Sequence, residues 1–257
     1  MNYPPVNLSE LAGYLIEKGF KNTKIIDLNF EIKNKFDVAN IVNIGFNILF
    51  KKKPDVICIT CNALQFPFVC ELSSLIKTKT QIPVVVGGVM PSLSLELVLN
   101  LSKADFVVRG EGEQTLVELL QNIKNNRNIK QIDGISYYEQ NGSVVHNKDR
   151  AFIDIDCLPK PEFKLIKKSL KNSKTVWLTG SRGCAYKCKF CSGNDIWKFQ
   201  RRKNPDKIIE QLKILKIKYG IKEFIFGDDC LTLNKNWIKE LCSKIKPLKM
   251  KWGCLAR

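Results

Sequence analysis

The chain has one histidine, His146, among 257 residues. Zinc sites often complete a cysteine set with an imidazole, and here that leg could come from a single position only. No run of eighteen or more apolar residues occurs, which excludes a membrane-spanning helix. The opening Met1-Asn2-Tyr3-Pro4-Pro5 lacks the charged-then-apolar order of a secretory leader, so the expected location is the cytoplasm. No repeat or low-complexity segment stands out. An arginine-rich stripe is also missing. The net charge of +17 comes from lysines scattered over expected helix surfaces, such as Lys207, Lys213, Lys216 and Lys218. Net charge bears on association and not on fold, so nucleic acid is not the expected partner.

Apolar residues make up 44% of the chain, enough to bury the core of one large domain or two modest ones. Ten cysteines are many for a chain without an export signal. They point to metal ligands or buried thiols before disulfides.

The first half alternates helix and strand signals. Asn7, with Glu10 three residues later, reads as a capping pair. Leu8, Leu11, Ala12, Leu15 and Ile16 then repeat at helical spacing, and Gly19 suits the position past the helix end. Residues 24–28 read as a short strand and 36–50 as a helix. Residues 55–60, 83–86 and 105–108 read as strands, and 66–76, 92–101 and 114–123 as helices. This alternation predicts an α/β fold, with a Rossmann- or flavodoxin-like parallel sheet covered on both faces. Such sheets bind ligands beyond the carboxyl ends of their strands. The turns Gly87-Gly88 and Gly110-Glu111-Gly112 fall at those ends. Residues 135–138 and 143–146 flank Asn141-Gly142, a hairpin signal.

The chain divides on this reading into a first domain over 1–149, a connection over 150–172 holding Pro159 and Pro161, and a second domain over 173–257. The second domain opens with a strand at 175–179 and a long loop at 181–202. Asn204-Pro205 starts a helix with Ile208, Ile209, Leu212 and Leu215 on one face and Gly220 after it. A strand at 223–226 ends in Gly227-Asp228-Asp229. A helix from Asn234 and a strand at 249–254 follow.

The long loop contains Gly183-Cys184-Ala185-Tyr186-Lys187-Cys188-Lys189-Phe190-Cys191. Thiolates are soft ligands that suit iron–sulfur clusters and zinc. A four-iron cluster usually takes four cysteines, so three leave one iron with an open position. Zinc would need a fourth leg, and Cys230 could supply it. Cys58 and Cys61 form a further pair, but an offset of three on a strand turns the side chains to opposite faces. They read as buried structural thiols, as do Cys70 and Cys242 on apolar helix faces.

The Cys184, Cys188, Cys191 spacing, with Phe190 before the last cysteine and a strand ahead, resembles the radical S-adenosylmethionine (SAM) superfamily. The resemblance implies a partial (β/α) barrel and a [4Fe–4S] cluster on those three cysteines. It implies SAM chelating the open iron and splitting on one-electron reduction into methionine and a 5′-deoxyadenosyl radical. It also implies Asp228 and Asp229 as groups for the methionine amine, Phe190 beside the adenine, and an electron donor such as flavodoxin or ferredoxin.

Several N-terminal pieces resemble the cobalamin (B12) domain that often precedes this barrel. They are Pro4-Pro5, Asp27-Leu28-Asn29, Lys53-Pro54-Asp55-Val56, Gly87-Gly88 with Pro91-Ser92, and Arg109-Gly110-Glu111-Gly112-Glu113-Gln114-Thr115. The resemblance implies a corrin over the strand ends, at Thr60, Cys61, Gly87, Gly88, Gly110 and Glu111. The Asp-x-His-x-x-Gly loop of cobalamin mutases is absent, so cobalt would have no histidine from that motif.

Together these resemblances imply a cobalamin-dependent radical enzyme that transfers methyl to an unactivated centre of a small molecule. The alternatives are radical oxidation or cyclisation with a first domain that holds no cobalamin, and a non-enzymatic metal- or nucleic-acid-binding module. The barrel of the resembled family has six βα units, whereas three strands are read here. The C-terminal half of the barrel is therefore expected to be missing or supplied by a partner.

Overall fold

The computed structural model describes residues 3–32 and 38–257. Two units are each compact by their own contacts: Glu31–Ile153, and a second made from Met1–Phe30 with Asp154–Arg257. The division read from the sequence places the first helix with residues 1–149, whereas that helix falls in the unit that carries the cysteine loop.

In the 31–153 unit, among the described residues, five strands form one sheet in chain order. They are β1 (Ile57–Thr60), β2 (Val84–Gly87), β3 (Phe106–Val108), β4 (Ile135–Tyr138) and β5 (Val144–His146). The first three are parallel, and β4 and β5 add antiparallel to β3. Val84, Val85 and Val86 are all buried, the continuous apolar strand expected when both sheet faces are covered. Leu72 and Ile76 on helix Phe66–Lys79, Val98 and Leu99 on Leu95–Ser102, and Leu116 and Leu119 on Gly112–Lys124 are buried in this unit. Each such side chain contributes about 1.5–3 kcal/mol on burial. The turn at Asn141-Gly142 forms as expected, with Glu139 N–H donating to the Ser143 carbonyl at 2.9 Å.

In the other unit, β6 (Thr175–Leu178), β9 (Glu223–Phe226) and β10 (Lys251–Cys254) form a parallel sheet with β9 central. Helix Pro205–Tyr219 buries Ile208, Leu212 and Leu215, and helix Lys235–Ile245 buries Leu241 and Ile245. Val6 on helix Val6–Glu17 and Leu170 on Lys167–Lys171 join that core. Asn204 caps the first of these helices by accepting from Asp206 N–H, and Asn234 caps the second by accepting from Trp237 N–H at 2.9 Å.

Several expectations change, among them the single helix read over 92–101, which is two, Val89–Leu93 and Leu95–Ser102, and one reaches outside the described residues. Residues 24–28 form no strand; Leu28–Glu31 is a short helix. The helix expected over 36–50 runs from Val38 to Phe50, and its first two positions lie outside the described residues. Asn7 and Glu10 make no capping pair, because the helix starts at Val6, two residues earlier than such a cap implies, after Pro5, which offers no side-chain acceptor. The long loop is not irregular throughout. Its ends pair as two short antiparallel strands, β7 (Ser181–Arg182) and β8 (Arg201–Arg202), with a helical turn at Gly193–Ile196 between them.

Candidate iron–sulfur and cofactor sites

The β7–β8 pair closes the loop at its base, and the three cysteines lie between its arms. Cys184, Cys188 and Cys191 are all half-buried. Cys191 N–H donates to the Cys188 carbonyl at 3.0 Å, which curls the last turn. Gly183, just before Cys184, has a φ of +88°, and a side chain there would collide with the Phe199 carbonyl oxygen. Glycine is required both for that backbone conformation and for the close return of residues 197–199.

Asp228 ties the loop to the sheet. Its carboxylate accepts from Gly180 N–H at 3.0 Å, from Ser181 N–H, and from the Ser181 hydroxyl at 2.5 Å. Only 1% of the residue is exposed. Burial pushes its pKa up, opposed by those hydrogen bonds and by Lys203. Both oxygens are thus engaged on the loop entrance. Asp229 is exposed. An added side chain at Gly193 would meet Cys191 Sγ at 3.3 Å and Asp229 Oδ1 at 4.0 Å, so Asp229 lies beside the third cysteine. Phe190 is 93% exposed and contributes nothing to loop packing.

Gln200 and Arg257 carry no sequence signal, yet both reach the loop. The Gln200 amide donates to Ser181 Oγ at 3.1 Å and to the Cys230 carbonyl at 2.8 Å, joining the loop to the end of β9. Arg257 donates to Cys188 Sγ at 3.7 Å while stacking 4.4 Å from the Tyr186 ring centroid. Among the described residues, no three His, Cys, Asp or Glu side chains are gathered tightly enough to hold an ion. The three thiols therefore share a loop without converging on one point. The donor chemistry nevertheless fits an iron–sulfur cluster, since soft thiolates on one short loop can wrap a cubane. Cys230 is buried and lies outside that loop.

On the other unit, Thr60, Gly87 and Gly110 stand at the carboxyl ends of the three parallel strands. Thr60 and Gly110 are exposed and Gly87 is half-exposed. Open space surrounds the position a Gly110 side chain would take. Leu64 is 95% exposed and Val89 is half-exposed, so apolar side chains also stand free near these ends. An open, partly apolar rim over glycine turns fits a large planar ligand. Two expected contacts do not share it. Cys61 is buried, and burial raises its thiol pKa to about 11. Glu111 is buried too, and it accepts from Ile153 N–H at 2.9 Å. Gly88 has its own local cause: at φ +116°, a side chain would lie 2.8 Å from the Cys61 carbonyl oxygen. Ser92, which the sequence did not single out as a contact, donates to the Gly88 carbonyl and accepts from Gly110 N–H, linking two of the turns. Cys58 keeps exposed surface, yet the atoms packed around its thiol push its pKa up to about 12, so its sulfur behaves as the buried thiol expected.

Residues 1–120 match the B12 binding domain and residues 178–251 match the Radical SAM superfamily. The chain thus joins a B12-binding domain to a radical SAM segment that follows it. It is 33% identical over 263 residues to an uncharacterized methyltransferase of Pyrococcus horikoshii, covering 99% of this chain and 55% of that protein. It is 26% identical over 251 residues to the anaerobic magnesium-protoporphyrin IX monomethyl ester cyclase of a Synechocystis species, covering 94% and 48% respectively. The chain thus spans about half the length of these curated relatives. Its fold matches the cobalamin-dependent SAM radical enzyme OxsB, with a TM-score of 0.78, 23% identity, and coverage of 98% of this chain and 36% of OxsB. It also matches the radical SAM methyltransferase TsrM from Kitasatospora setae, solved with cobalamin and a [4Fe–4S] cluster. That match has a TM-score of 0.76, 18% identity, and coverage of 96% and 49%. Among the described residues no helix is long and apolar enough to cross a membrane.

Proposed function

We propose that the chain carries the cluster- and cobalamin-binding parts of a cytoplasmic radical SAM methyltransferase acting on a small molecule. The observation that carries this reading is the three-cysteine loop, closed by β7–β8 and held to the sheet by buried Asp228. Cys184, Cys188 and Cys191 would hold the cluster, and Thr60, Gly87 and Gly110 would lie under the corrin. Bound there, the cluster would supply the electron that cleaves SAM, and cobalamin would supply the methyl group. Asp228 fixes the loop entrance through three donors. Asp229, exposed beside Cys191, would accept from an ammonium group. Arg257 donates toward the Cys188 sulfur from outside the loop. A small acidic electron carrier such as flavodoxin would be the reductant.

Anaerobic reconstitution with iron and sulfide tests the reading. The wild-type chain is expected to hold close to four iron and four labile sulfide, and Cys188→Ala is expected to lose most of both. About one zinc and no labile sulfide, or unchanged iron in Cys188→Ala, would sink it.

The similarity to a cyclase over 94% of the chain favours one second reading, ring-forming radical chemistry. Titration of the reduced chain with cobalamin separates the cobalamin-dependent form from one without it. Retention of no corrin would count against the methyl-transfer reading.

A further inference from the structure

Glu10 and Lys203 form a buried ion pair that the proposed chemistry does not use. The Lys203 ammonium donates to Glu10 Oε1 at 2.5 Å, and the two side chains are 4% and 7% exposed. Arg182 approaches the second Glu10 oxygen at 3.7 Å. Arg182 ends β7 and Lys203 directly follows β8, so the carboxylate stands across the mouth of the cysteine loop. The backbone repeats the junction, with Lys203 N–H donating to the Gly180 carbonyl at 2.8 Å. The Lys203 carbonyl in turn accepts from the Trp237 indole at 2.9 Å. A buried pair is a poor source of net stability against apolar residues of the same size, yet removing one partner strands a charge. Its directional bonds here fall at one place, the two ends of the loop.

We infer that Glu10 is a positioning residue for the cluster loop. It makes the first helix a brace that fixes the distance between the loop ends. The inference rests on the cluster reading above, and it adds a segment about 170 residues away in sequence to the machinery that holds the cysteines.

The test uses the full chain, reconstituted anaerobically, in four forms: wild type, Glu10→Gln, the apolar pair Glu10→Met with Lys203→Met, and Leu170→Ala. The last variant opens the same core without touching the loop mouth. The readouts are the rate at which an iron chelator strips the cluster and the electron paramagnetic resonance signal of the reduced form. Glu10→Gln is expected to strip about tenfold faster than wild type and to broaden the signal. The apolar pair is expected to fold and still strip faster, while Leu170→Ala strips at the wild-type rate. Equal stripping by Glu10→Gln and Leu170→Ala, or wild-type stripping by the folded apolar pair, overturns the inference. If Glu10→Gln does not fold, the apolar pair decides alone. A wild-type chain that takes up no cluster defeats the cluster reading instead. The brace is then judged by amide exchange of residues 181–202 in the metal-free chain. Exchange quickened by the apolar pair supports it, and unchanged exchange overturns it.

Discussion

At the end of β9 the Asp228 carboxylate has three hydrogen-bond donors and almost no contact with water. Its pKa is raised from 3.8 because burial outweighs those donors. The sign follows from linkage. The folded state holds the Asp228 proton more tightly than the unfolded chain does. Its contribution therefore makes stability fall as pH rises from 3.8 through the folded pKa, and level off above it. Asp228→Asn is expected to remove that slope in urea melts stepped upward from pH 3.8. It is also expected to lose about 1–3 kcal/mol at neutral pH, because an amide nitrogen would face a backbone donor. An unchanged pH profile would contradict this account. The sequence placed Asp228 and Asp229 together as cofactor contacts. The structure divides them, one on the chain's own backbone and one toward solvent beside Cys191. A doubled aspartate after a strand does not reveal which member turns inward. The capping pair at Asn7 and Glu10 misled for a related reason. Local spacing suggested a local partner, whereas the partner of Glu10 is 193 residues away.

Regular elements were more legible than the turns that join them. Strand β2 was readable because a buried parallel strand is a short, continuous apolar run, as in Val84, Val85 and Val86. The hairpin at Asn141-Gly142 was readable from its turn residues. The β7–β8 pair was not, since two residues per arm give no periodicity and Arg201-Arg202 reads as surface. The glycines at the strand ends were found, but their causes differ. Gly88 answers to the Cys61 carbonyl, whereas Gly110 borders open space. Gly88→Ala is therefore expected to cost about 1–3 kcal/mol through strain and contact. Gly142→Ala, with nothing within 4 Å, is expected to cost less. Urea midpoints of the two variants check this, and a larger loss at Gly142 would refute it.

The larger organisation departs from the order of the chain. The unit of residues 31–153 is an insertion within the unit that carries the cysteine loop. It has its own sheet and its own buried valines and leucines. Expressed alone, residues 31–153 are expected to unfold cooperatively in urea, as a domain of that size with its own core should. A gradual, non-cooperative loss of helical signal would show that the unit needs the rest of the chain. The sequence could not show this nesting, because the first helix carries only the amphipathic pattern that any covering helix has.

The nested arrangement also has a meaning in time. Glu10 leaves the ribosome early and must wait for Lys203, 193 residues later. At about 5–20 residues per second that wait lasts roughly 10–40 s. The brace at the cysteine loop therefore cannot close until synthesis has passed residue 203, however early the first helix forms.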